Sequence, residues 1–124
     1  MNRVMIDTQI LIWWLSEPEK IKDKHQRIIE DSNFQIEVSI CSLFEITIKR
    51  SIGKLKFDYD IKKVLPVHGF TLLNINYEHL GLYADLPHHH KDPFDRMIIA
   101  QAKSEKLALI SYDKVFSLYD ISLL

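Results

Sequence analysis

Hydrophobic and polar positions along the chain form two kinds of segment, short unbroken apolar runs and longer mixed stretches. "RVMID" (3–7), "FQIEVSI" (34–40), "FTLLNI" (70–75) and "LALIS" (107–111) read as strands, and "ISLL" at the end of the sequence is a candidate fifth. Between them lie helical patterns. "TQILIWWL" follows the first strand, and "PEKIKDKHQRIIEDS" (18–32) reads as a charged amphipathic helix. Residues 41–52 read as a helix ended near Gly53, and "IKKVLPVHG" as a short helix broken at Pro66. "YEHLGLYADL" (77–86), a segment from Pro93 to about Lys106, and "KVFSLY" complete the set. Strands that are apolar throughout are buried on both faces. Their alternation with helices therefore predicts an α/β fold, a three-layer α/β/α arrangement around a parallel sheet of four to five strands.

In such open sheets ligands bind outside the carboxyl ends of the strands. Asp7 closes the first strand and Asp113 lies two residues beyond "LALIS". Each also suits the N-cap of the helix that follows it, so neither alone defines a site. Glu45 adds to the case. On a helix turning about 100° per residue, Cys41, Phe44, Ile48, Ile52 and Leu55 form an apolar stripe, and Glu45 falls at its edge. A carboxylate there needs a cation or donors, and Lys49 at i+4 is one available partner.

"HHHKDPFDR" (88–96) carries the densest chemistry. Asp92 and Pro93 make a good helix start, with Asp92 as the cap. Asp95 then falls inside the apolar arc of Phe94, Met97, Ile98, Ile99 and Ala102, while Arg96 and Lys103 take the solvated side. Asp7, Glu45, Asp95 and Asp113 can thus converge at one end of the sheet. Together they would repel and raise one another's pKa values, and a divalent ion resolves this. All-oxygen donors select Mg²⁺ or Mn²⁺ over softer metals. The triple histidine (His88, His89, His90) invites a zinc reading, but no partner pair at ligand spacing accompanies it. It reads better as a loop at the cleft rim, where His90 and Lys91 touch phosphate or simply meet solvent.

Composition sets outer limits. With 124 residues, 47% hydrophobic and 27% charged, the chain is the size of one globular domain, spanning 1–124. A formal charge of −1 means that any polyanion-binding surface is local. The best candidate is Lys49, Arg50, Lys54, Lys56, Lys62 and Lys63, interleaved with Phe57 and Tyr59, although a solvated helix face explains the same run. A single cysteine, Cys41, rules out a disulfide framework and fits a reducing cytoplasm. The longest apolar run, "ILIWWL", is too short to span a membrane, and Asp7 comes too early for a signal peptide. Trp13 and Trp14 share one apolar helix, so one is expected in the core and the other at a dimer or partner groove.

"MIDTQILIWWL" (5–15), "SLFEITIK" (42–49), "LPHHHKDPFDRMIIAQA" (86–102) and "LISYDKVF" (109–116) together resemble the PIN-domain ribonucleases, specifically the VapC-type toxins of bacterial toxin–antitoxin pairs. The resemblance runs over nearly the whole chain in the family's order. It carries metal-binding and catalytic roles onto Asp7, Glu45, Asp95 and Asp113, with Asp7 and Asp95 as direct ligands. Asp92, Thr8 and Ser111 become supporting residues, and Lys49, Arg50, Lys54, Lys56, His90, Lys91 and Arg96 candidate RNA contacts. It implies a cytoplasmic endoribonuclease using Mg²⁺ (or Mn²⁺), a cognate antitoxin partner, a homodimer, and contact with DNA only through the antitoxin. Relatives often carry tryptophan at position 44 and histidine at position 9, where this chain has Phe44 and Gln9. A non-catalytic PIN-like RNA- or protein-binding module is the alternative. A phosphatase or receiver on a similar sheet fits less well, because Gln9 stands where a phosphatase's second aspartate is expected.

Overall fold

The computed structural model describes residues 2–124. Its strands are β1 (Asn2–Ile6), β2 (Phe34–Ser39), β3 (Thr71–Leu73), β4 (Ala108–Ile110) and β5 (Ser122–Leu123), all paired in parallel in the order β3-β2-β1-β4-β5. Helices α1 (Thr8–Ser16), α2 (Asp23–Glu30), α3 (Ile40–Ser51), α4 (Val64–Val67), α5 (Tyr77–Asp85) and α6 (Pro93–Glu105) cover both faces. The period-two alternation of β1 divides the core in two. Val4 and Ile6 pack with Ile10, Leu11, Leu43 and Ile46, whereas Met5 points the other way, onto Ile98, Ile99 and Phe116. Each buried aliphatic side chain contributes about 1.5–3 kcal/mol, so the central strand is held from two sides.

On the Met5 face the amino ends of the strands carry a polar network around two buried side chains, Glu37 and His79. Arg3 pairs with buried Glu37 and with Glu105 at 3.2 Å, and Glu105 also meets His79 Nε2 at 3.0 Å. These bonds tie β1 and β2 to α5 and α6 at the end of the sheet away from Asp7. The burial of α6 is general: every side chain from Arg96 to Ala102 is buried.

Three expectations need correction. The 18–32 helix is split into a 3-10 turn at Pro18–Lys20 and α2, because Ile21 adopts an extended conformation that buries its side chain. The next N–H, of Lys22, goes to the Tyr112 hydroxyl at 2.9 Å. Pro66 does not break its helix. It lies in the first turn of α4, where its missing N–H costs nothing. On α3 the buried residues are Cys41, Ser42, Leu43, Glu45 and Ile46, while Phe44 and Ile52 are 58% and 59% exposed. The helix packs against both α1 and α6, which leaves Phe44 and Ile52 of its predicted stripe outward and Cys41 buried. Among the described residues, no helix is long and apolar enough to cross a membrane.

Candidate active site

The chain runs from β1 to β2 to β3 towards one edge, then returns to β4 on the other side of β1. This reversal opens a crevice at the carboxyl ends of β1 and β4. Asp7 emerges there, its N–H bonded to Ile110 O at 3.3 Å across the strand ends. Its carboxylate caps α1, accepting the Ile10 N–H at 2.8 Å. Asp7 thus caps a helix and lines the cleft at once: one oxygen holds α1 and the side chain faces the cavity. Burial pushes the Asp7 carboxyl up to about 6. The Ser111 hydroxyl and the Ile10 N–H oppose the shift, and the charges of Asp113 and Glu45 add to it.

The cleft has a volume of about 460 Å³, and Glu45, Asp95 and Asp113 line it together with Asp7. Asp92, Lys49, Gln9, Trp13 and Tyr112 complete its wall. Glu45 is buried at the base of α3 and pairs with Lys49 Nζ at 2.9 Å, the expected i, i+4 partner. Asp92 caps α6, accepting the N–H groups of Phe94 and Asp95 at 2.8 and 3.1 Å. That cap turns Asp95 towards the cleft. Burial is the main reason that the Asp95 carboxyl rises to about 7. Asp92, Asp7 and Glu45 raise it further, and His90 opposes them. Asp113 caps the 3-10 turn Lys114–Leu118, accepting the Val115 N–H at 3.0 Å, and its own N–H donates to Ser111 Oγ at 3.2 Å. The Thr8 hydroxyl donates to Ser42 Oγ at 2.9 Å, joining α1 to α3 beneath the acids.

Of the three histidines, His88 and His89 are exposed and His90 is turned inward. His90 Nε2 lies 2.8 Å from Asp113 Oδ2 and 3.1 Å from Asp95 Oδ2. A three-histidine zinc site is thus not formed, and His90 is not a rim residue aimed at solvent. Two distant side chains shape its loop. Tyr119 Oη accepts the His90 N–H at 2.8 Å and donates to Pro87 O at 2.8 Å.

Arg96 overturns its expected role as an RNA contact. It is 5% exposed, and its guanidinium donates to the carbonyls of Pro87, His90, Tyr83 and Leu86 at 2.9–3.5 Å. A planar fork of five donors can satisfy several carbonyls at once, which is what this tight loop needs. Arg50 is also engaged, through Nη1 to Phe57 O and Tyr59 O at 3.1 Å each. Lys54, Lys56 and Lys91 are exposed, as is Lys49 beside Glu45.

Sequence reasoning missed Trp13 and Tyr112 as walls of the cleft; their rings lie 6.0 Å apart. The position of Tyr112 between Ser111 and Asp113 was the available signal. The donor set suits a hard divalent ion: oxygen ligands, a negative cleft, and two carboxyls whose ionised forms are only partly compensated by their neighbours.

The family model described as PIN domain matches residues 4–121. The chain belongs to the PIN-domain family. PIN domains are nucleases that generally use divalent metals, and in this chain the acidic cleft stands at the carboxyl ends of β1 and β4. Similar solved structures include VapBC-1 from nontypeable Haemophilus influenzae, with 21% identity, a TM-score of 0.72, and coverage of 98% of this chain and 96% of that one. VapBC2 from Rickettsia felis, bound to a DNA fragment from the promoter, shares 16% identity at a TM-score of 0.73, covering 98% and 97%. DNA-bound VapBC from Salmonella typhimurium shares 17% at 0.70, covering 100% and 98%. At these identities the likeness is one of fold. No curated protein matches the chain.

Proposed function

We propose that this PIN domain is a Mg²⁺-dependent endoribonuclease, with Mn²⁺ able to substitute, and the toxin of a toxin–antitoxin pair. The observation that carries the reading is the convergence of Asp7, Glu45, Asp95 and Asp113 on one cleft, with Asp7 and Asp95 shifted to about 6 and about 7. Strained carboxylates brought together by separate elements serve a cation better than they serve the fold.

Asp7 and Asp95 hold the ion, and Glu45 offers a third carboxylate from α3. A divalent ion in such a site lowers the pKa of a bound water and neutralises phosphate charge. Asp113 and Ser111 shape the wall behind Asp7. Lys49, at the mouth, is placed to meet a phosphate, and Lys54, Lys56 and Lys91 extend positive charge beyond it. Hydrolysis joins the water oxygen to phosphorus and breaks one phosphodiester P–O bond. No histidine base or covalent nucleophile is required.

The complexes of the similar structures support a cognate antitoxin as partner, with DNA reached only through that protein. A homodimer agrees with the apolar surface left by Phe44, Leu72 and Leu80. We place the protein in the cytoplasm, where its RNA substrate is.

The test is cleavage of RNA by the purified protein with Mg²⁺, with EDTA, and with Asp7→Asn or Asp95→Asn. Loss of cleavage in all three controls supports the assignment. Undiminished cleavage by the variants removes the site, and no cleavage of any RNA by the wild type favours the non-catalytic binding module.

A further inference from the structure

We infer that His90 is a positioning residue whose N–H fills the place of a second cation, so that each chain takes one divalent ion. This rests on reading the cleft as a divalent-ion site. His90 Nδ1 accepts the backbone N–H of Asp92 at 3.1 Å, so this nitrogen carries a lone pair and the ring proton sits on Nε2. That proton is aimed at Asp113 Oδ2, 2.8 Å from Nε2, with Asp95 Oδ2 at 3.1 Å on the other side.

A cation bridging the two carboxylates would need to lie about 2.0–2.1 Å from each oxygen if it were Mg²⁺. The imidazole N–H already occupies that space. A ligating histidine donates its second ring N–H to an acceptor. Here the second nitrogen faces a donor, so the tautomer is wrong for a ligand.

The placement is enforced from several directions. Tyr119 and Arg96 hold the main chain of the loop, and the ring packs edge-on to Phe116 at 5.7 Å. Both Asp113 oxygens are thereby engaged, one by the Val115 N–H and the other by His90. Asp7, Glu45 and Asp95 remain for the ion.

The experiment counts Mn²⁺ ions by calorimetric titration and electron paramagnetic resonance on wild type, His90→Ala and His90→Gln. One ion per chain is expected in the wild type and in His90→Gln, whose amide N–H reaches the same point. A second, spin-coupled ion is expected in His90→Ala. Two ions in the wild type overturn the inference even if no variant folds, as does a single ion in folded His90→Ala. Nitrogen coupling to Mn²⁺ from an imidazole in the wild type overturns it as well, by making His90 a ligand. No ion in the wild type overturns the divalent-ion reading itself and this inference with it.

Discussion

The backbone N–H of Asp95 donates to the carboxylate of Asp92 across 3.1 Å, so one acid begins α6 and thereby aims the other. The same neighbour also raises the Asp95 carboxyl by its charge. The two effects separate by substitution. Asp92→Asn keeps a capping oxygen and should change stability by less than about 0.5 kcal/mol, while Asp92→Ala should cost about 1 kcal/mol. Asp92→Asn should also lower the Asp95 titration midpoint, read by carboxyl carbon NMR. An unchanged midpoint would mean that Asp92 acts only as a cap.

The raised carboxyls make stability depend on pH. Asp95 and Asp7 stand at about 7 and about 6, against an ordinary aspartate value of 3.8. The folded state holds their protons more tightly than the unfolded chain does. Their contribution is fully present below about pH 4 and is lost as pH rises through 6 and 7. Without divalent ions, Asp95→Asn should therefore gain melting temperature on the wild type between pH 5 and 8, and added Mg²⁺ should narrow the gap. Parallel melting curves across that range would contradict the assignment.

Arg96 is structural. Arg96→Ala leaves several loop carbonyls without donors and should cost roughly 3 kcal/mol in urea unfolding. Arg96→Lys should recover little, because a point charge cannot replace the fork. A folded Arg96→Ala protein of wild-type stability would refute the loop's dependence on it.

Lys49 competes with any ion for Glu45, the pair being 2.9 Å apart. Lys49→Met should tighten Mg²⁺ binding by up to about fivefold, the scale of a partly exposed ion pair. The same variant should weaken RNA binding. Weaker Mg²⁺ binding in a titration would show that Lys49 supports the site instead.

Phe44, 58% exposed, borders an apolar groove of about 630 Å³ with Leu43, Leu65, Pro66, Phe70 and Leu72, well supplied for an interface and poor in chemistry. If a second copy covers this face, Phe44→Asp should shift sedimentation from dimer to monomer without unfolding the protein.

β1 and β4 were legible because most of their residues are buried on both faces of the sheet. Continuous apolar runs such as 3–7 and 107–111 located β1 and β4 to within about a residue at each end. Asp7 was legible as a candidate from its place at the end of β1, and Asp95 from its position inside an apolar arc. What eluded the pattern depends on contacts far apart in sequence. The orientation of His90 is set by Tyr119, 29 residues away, and by Arg96, whose own burial contradicts its charge. The outward turn of Phe44 follows from which helices flank α3, and the helical wheel of α3 by itself carries no such information.

The pairing of β1 with β4 has a consequence for synthesis. Val4 aligns with Ala108, and the acids of the cleft are spread from position 7 to position 113. A nascent chain emerging from its amino end displays Asp7 and Glu45 long before Asp95 exists. The cleft closes only once β4 has followed β1 out of the ribosome, so a nascent chain that already displays Asp7 and Glu45 has no complete acidic cleft until residue 113 has been made.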